Sequence, residues 1–211
     1  MPRQNRVLPD SAIVAHAGRC LFMGNRGCLH DADGALVRRW QGRRWISCLT
    51  DFRGRRRTLM QPGHYTELFF LDEAVALAAG HRPCAECRRD DHLRFRAAWD
   101  RAGLPGGASV DGIDRVLHAA RLAPGRPRLS PRDLPPGAFV GQDGAFFLVT
   151  ASGLCRYDPG GYRGHYSAGS GEATVLTPAP MLEVLRAGYG PRLHPSAACA
   201  APMSESDKPE A

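Results

Sequence analysis

Cys84 and Cys87, in the run Gly80-His-Arg-Pro-Cys-Ala-Glu-Cys87, have the types and spacing most suited to chemistry. A tight Cys-x-x-Cys turn lets two thiolates converge on one ion, and zinc takes four such soft or borderline ligands in a tetrahedron. The same spacing serves thioredoxin-like redox pairs, which place the first cysteine at a helix start after a strand. Here a helical run and a Gly-His-Arg-Pro turn come first, so zinc is the expected partner. A pair does not complete the site. Upstream, the chain offers Cys20, Cys28, His30, Cys48 and His64. Cys48 lies inside the expected strand Trp45–Phe52 and could face the knuckle; the alternative is a small buried core residue.

Other chemistry is sparser. His64 and Glu67, in His-Tyr-Thr-Glu, are candidates for an acid/base pair near the knuckle. The competing reading is a surface turn leading into a strand. Gly24-Asn25-Arg26-Gly27 is a tight loop whose amides could hold an anion, or a plain hairpin turn. Tyr162 and Tyr166, near His165, could stack on bases or pack internally. No nucleotide-binding glycine loop, serine nucleophile elbow or zinc-protease motif occurs.

Charge is concentrated rather than spread. Residues 1–103 hold 18 Arg against 11 acids, while residues 104–211 are balanced at 10 and 10. The window Val37–Arg57 alone holds eight Arg and one Asp, the whole formal excess of +7. Such density attracts a polyanion, so Arg38, Arg39, Arg43, Arg44, Arg55, Arg56 and Arg57 are the candidate nucleic-acid contacts. Lysine occurs once, at Lys208, so a compositional preference for arginine is the competing account. No apolar run approaches the roughly 18 residues of a membrane span, and the first residues lack a signal-peptide core. A cytoplasmic protein that avoids the membrane is therefore expected, with seven cysteines kept as thiols or metal ligands.

The elements that must position these residues follow from local patterns. Leu68-Phe69-Phe70 reads as a short strand, and Asp72 as the cap of a helix ending at Gly80. Pro83 prevents its continuation. A second helix carries Phe95, Ala98, Trp99 and Ala102 at helical spacing and ends at Gly103. Asp111 is the expected cap of a third. Trp45–Phe52 and Arg55–Met60 read as a basic hairpin turning at Arg53-Gly54. Ala123–Pro136, rich in Pro and Arg, is the expected boundary before a run of short strands, and Met181–Ala187 reads as a last helix.

The run Glu73-Ala-Val-Ala-Leu-Ala-Ala-Gly80-His-Arg-Pro-Cys84-Ala-Glu-Cys87-Arg, with its lead-in Leu68-Phe69-Phe70, resembles the second half of the metal-binding domain of the Ada DNA-repair protein. That half has an Ala-rich helix followed by Ala-Gly-aromatic-Arg/Lys-Pro-Cys-x-x-Cys. The resemblance covers residues 65–90 only. It is also similar to small modules attached to nucleases, in which a Phe-His and one Cys replace Ada's upstream cysteine pair. Ada's upstream Cys-x-x-x-Cys, which includes its methyl-accepting thiolate, has no match here. The resemblance implies a zinc fold near nucleic acid more strongly than it implies Ada's chemistry. With it, the expected ligands are His30, Cys48, Cys84 and Cys87, with Cys28 as the substitute for either upstream ligand.

The expectation is an α+β chain. A zinc-stabilised region over residues 12–122 packs three helices on short antiparallel strands. A small β-rich part follows over residues 137–195, then a disordered tail over 196–211. In function it reads as a zinc-binding protein that contacts nucleic acid, DNA in the first place, in repair or processing. The alternatives are a metal-dependent nuclease or repair enzyme, and a protein whose zinc only staples the fold.

Overall fold

In the computed structural model, which describes residues 1–54 and 58–198, the chain folds around two sheets. The first holds β1 (Gln4–Val7), β2 (Ile13–Ala15), β3 (Phe22–Asn25), β4 (Ile46–Leu49), β5 (Leu68–Phe70) and β6 (Arg82–Pro83), in the order β2-β1-β5-β3-β4-β6. The second holds β7 (Arg128–Leu129), β8 (Phe139–Gln142), β9 (Ala145–Thr150), β10 (Gly153–Asp158), β11 (Gly161–Tyr166) and β12 (Ala173–Val175), in the order β11-β10-β9-β8-β12-β7. The helices are α1 (Glu73–Ala78), α2 (Arg89–Arg101), α3 (Val110–Leu122) and α4 (Ala179–Arg186).

Among the described residues there are thus four helices, the last near the expected Met181–Ala187, and two six-stranded sheets, which corrects the expected architecture of a zinc-stabilised N-terminal region of three helices on short antiparallel strands with a small β-rich appendage. The broad α+β class stands. Two features escaped the sequence for a physical reason. β1 pairs with β5, and β4 with β6, in parallel, so their partners lie far along the chain and leave no local signature. β6 is two residues long and contains a proline, which locally reads only as a helix stop. Of the hairpin expected across Arg53-Gly54, the first strand, β4, ends at Leu49, and Arg55–Arg57 of the second lie outside the described residues.

Local signals set the helix ends. Asp72 caps α1, its carboxylate accepting from the Val75 amide at 3.0 Å. Gly80 takes the left-handed conformation at φ 84°, while the Gly80 and His81 amides close onto the Leu77 and Ala76 carbonyls. The α3 cap is Ser109, whose hydroxyl accepts from the Gly112 amide at 3.0 Å, and not Asp111.

Every residue of α1 is buried, because the helix lies between two apolar clusters. Leu77 packs with Phe95, Trp99, Ile113, Val140 and Met181. Val75 packs instead with Phe22, Phe70, Phe139, Tyr157 and Tyr162. Both clusters draw on residues from either side of the Ala123–Pro136 stretch. No helix is long and apolar enough to cross a membrane among the described residues.

Candidate metal centre

The ladder of the first sheet brings three cysteines together. β4 and β6 run in parallel register, Ile46 beside Arg82 and Ser47 beside Pro83. The Arg82 amide donates to the Trp45 carbonyl at 3.1 Å and the Cys84 amide to the Ser47 carbonyl at 2.9 Å. That pairing carries the chain leaving β6 past β4, so Cys84 arrives beside Cys48. The turn after Cys84 returns Cys87 to the same place, where its sulfur accepts from the Leu49 amide at 3.4 Å. The Glu86 amide donates to the Cys84 sulfur at 3.4 Å. The Sγ atoms of Cys48, Cys84 and Cys87 all lie within 4.8 Å of one another.

Arg88 fastens this knuckle. Its side chain is fully enclosed and bonds the Ser47 hydroxyl at 2.9 Å, Glu73 at 2.6 Å and Asp91 at 2.7 Å. The residue that follows the second cysteine therefore ties β4, α1 and α2 to one guanidinium. Arg82, two residues before Cys84, is held by both carboxylate oxygens of Asp114 at 2.8 and 2.7 Å.

Three thiols this close cannot share one corner independently. Hydrogen bonds from Cys48 and then Cys87 hold the Cys84 thiol far below its ordinary value. Cys48 is pushed far up, first by its hydrogen bonds to Cys84 and Cys87 and then by burial. Negative charge is thus favoured on the Cys84 sulfur and disfavoured on Cys48, an imbalance that a bound cation would remove. The donor set fits zinc: three soft sulfurs, at separations compatible with the roughly 3.8 Å between ligands that a Zn–S bond of about 2.3 Å gives in a tetrahedron.

The three cysteines also line a cavity of about 290 Å³ together with Glu67, Glu86, Tyr65, Asn25 and Phe69. Strand alternation selects this lining, since Ile46 and Cys48 are two apart on β4, and Met23 and Asn25 two apart on β3. Glu67 is buried, and its Oε2 accepts from the Met60 amide at 2.7 Å.

The remaining residues singled out from sequence are placed elsewhere. His30 is buried with both ring nitrogens engaged, Nδ1 with the Thr66 hydroxyl at 2.6 Å and Nε2 with the Gln61 carbonyl at 3.2 Å, and it does not join the sulfurs. Cys28 is half-buried, its thiol donating to the His30 carbonyl at 3.5 Å. His64 is exposed and turns its Nδ1 to the Pro62 carbonyl at 3.2 Å, away from Glu67's cavity. Arg38, Arg39, Arg43 and Arg44 are exposed, with Arg44 paired to Asp111 at 3.3 Å. Arg55, Arg56 and Arg57 lie outside the described residues, as does Cys199. Tyr162 is buried and donates to Asp72 at 2.7 Å. Sequence reasoning missed Glu86 as a wall of the cavity, although its place between Cys84 and Cys87 was a signal.

Compared with protein-family models, with curated proteins and with solved structures, the chain finds no match in any of the three.

Proposed function

We propose that this chain is a zinc protein that contacts nucleic acid. What carries the metal half is the convergence of the Cys48, Cys84 and Cys87 sulfurs within 4.8 Å, from strand β4 and the turn after β6. Zinc bound there would neutralise the thiolates and fix β6 and α2 against β4. Reduced cysteines at this spacing belong in a reducing compartment, which supports a cytoplasmic setting. The likeness of residues 65–90 to the Ada half-motif supports both zinc and DNA. The exposed guanidiniums of Arg38, Arg39, Arg43 and Arg44 supply charge for phosphate contacts.

Elemental analysis tests the metal. About one zinc per chain is expected for the wild type, with its loss in Cys48→Ser, Cys84→Ser or Cys87→Ser and its retention in His30→Ala. A metal-free wild type purified under reducing conditions would end the proposal. For the nucleic-acid half, a labelled DNA duplex should be retarded at low salt, with the slope of log K against log salt shrinking by about 0.9 for each phosphate that the protein no longer neutralises. Replacing Arg38, Arg39, Arg43 and Arg44 by Gln should produce that change. A wild type that leaves the duplex's mobility unchanged at low salt removes the nucleic-acid half and leaves the zinc half intact.

One observation favours a second reading, a metal-dependent enzyme: Glu67 shares the cysteine-lined cavity. Catalytic zinc sites keep one position open for water, and a buried carboxylate beside it is suited to proton transfer. Glu67→Gln should then retain zinc while abolishing cleavage of labelled DNA. Wild-type protein loaded with zinc that leaves every strand intact would dismiss this reading.

A further inference from the structure

The buried arginines, Arg26, Arg82 and Arg88, and the half-buried Arg121 are of two kinds. Arg82 and Arg88 are each held by carboxylates. Arg26 and Arg121 are not, among the described residues. Arg26 is 2 % exposed; its Nε donates to His81 Nε2 at 3.2 Å, its Nη1 to the Ser11 carbonyl at 3.1 Å, and its Nη2 has no acceptor among the described residues. Arg121 donates only to carbonyls, those of Gly80 at 2.9 and 2.6 Å and Arg43 at 3.0 Å. Both guanidiniums lie against the Trp45 ring, 4.3 and 4.6 Å from its centroid. Burial, and then the charges of Arg121 and Arg39, hold Arg26 down to about 9. Burial holds Arg121 down to about 9 as well, against the opposing pull of Asp114. Two cations crowded on one ring, with Asp10 and Asp114 acting on them only through space and no carboxylate bonded to either among the described residues, are costly to enclose unless something anionic joins them.

The two residues line one cleft of about 300 Å³, which also takes in Arg39 and Arg126. Among the described residues, four arginines line it and Asp10 is the one acid on its wall. The Asp10 carboxylate already accepts from the Ala12 amide at 2.9 Å, and Arg126 bonds the Asp10 carbonyl at 2.8 Å. The rest of the lining is largely apolar, with Leu182, Val175 and the half-exposed Trp40. This cleft shares no residue with the cysteine cavity, yet the two are back to back: Asn25 and Ile46 line one, while their chain neighbours Arg26 and Trp45 line the other. Alternation along β3 and β4 separates them by the thickness of the sheet.

We propose that this cleft binds an organic phosphate of nucleotide size. The guanidinium fork matches phosphate oxygens in pairs, and a phosphate dianion offsets the excess charge better than a carboxylate. The apolar wall and Trp40 take the organic part, and the volume is at the small end of ligand sites. The site does not depend on the zinc reading.

Calorimetry and thermal melts test it, with AMP, inorganic phosphate and adenosine at matched ionic strength. AMP should bind and raise the melting temperature; adenosine should not, and inorganic phosphate should bind more weakly. Arg26→Met should weaken AMP by about tenfold or more, keep the zinc content of the wild type, and melt no lower than the wild type without ligand. Arg121→Met is the second variant, with the same expected loss of AMP binding should Arg26→Met not fold. A 5′-phosphorylated single strand set against its 5′-hydroxyl counterpart tells a strand end from a free nucleotide, and binding of either phosphate supports the site. No AMP binding by the wild type overturns the proposal. So does an AMP response unchanged in both variants, or an equal response to adenosine.

Discussion

Which thiols meet is decided residue by residue. Cys48 joins the pair because Cys84 continues the β6 register one step past Pro83. His30 stays out because Thr66 and Gln61 already use both of its nitrogens. Next to the pair, Arg82 and Asp114 are 3 % and 2 % exposed and bonded twice, so removing one partner leaves a buried charge. Asp114→Ala is therefore expected to destabilise the fold by about 3–5 kcal/mol in urea unfolding, and to weaken zinc retention because Arg82 sits in β6. A loss below about 1 kcal/mol would show that the pair is hydrated in solution. Arg26→Met is the contrasting case, since no carboxylate is left behind there.

At the level of elements, the short helix α1 has more to hold than its own backbone. Asp72 accepts from the Val75 amide, from Tyr162 Oη at 2.7 Å and from the His194 amide at 3.1 Å. Glu73 accepts from Arg88, from Tyr189 Oη at 2.6 Å and from the Arg192 amide at 2.9 Å. One helix start thus joins the cysteine knuckle to β11 and to the segment after α4. Burial raises the Asp72 carboxyl above its ordinary value, against those three donors. Asp72→Ala removes a cap, worth about 1 kcal/mol, and strands the buried Tyr162 hydroxyl at about 1–3 kcal/mol. A loss of at least about 2 kcal/mol in chemical denaturation is expected, and a near-neutral change would mean that these hydrogen bonds are not formed. The cap itself was legible in sequence, as an Asp before an apolar helical run. Its distant partners, 90 and 122 residues away, were not.

For the whole molecule, the two apolar clusters cross the Pro- and Arg-rich stretch, so unfolding of the two sheets should be linked. A single transition is expected when tryptophan fluorescence and circular dichroism are followed together; separated midpoints would contradict it. Acid should weaken the fold as a unit. Burial, then Arg26 and Arg121, hold wholly buried His81 well below the ordinary histidine value. The unfolded chain therefore takes up its proton first, near pH 6.5. Stability from His81 is complete above that pH and declines as the pH falls through it, by at most about 1.4 kcal/mol per pH unit. Urea midpoints should fall between pH 7.5 and 5.5, and His81→Gln should flatten the trend; an unchanged slope in the variant would assign the decline elsewhere. By itself the sequence determined what depends on neighbours in the chain: the Cys84–Cys87 turn, the α1 cap at Asp72, the stop at Gly80 and the spacing of the α2 apolar face. Tertiary structure alone decided which third residue meets that turn, that Glu67 but not His64 joins its cavity, and that Arg26 and Arg121 converge on Trp45. Those outcomes rest on strand register and parallel pairing between distant segments, where one residue of slip turns every side chain to the opposite face.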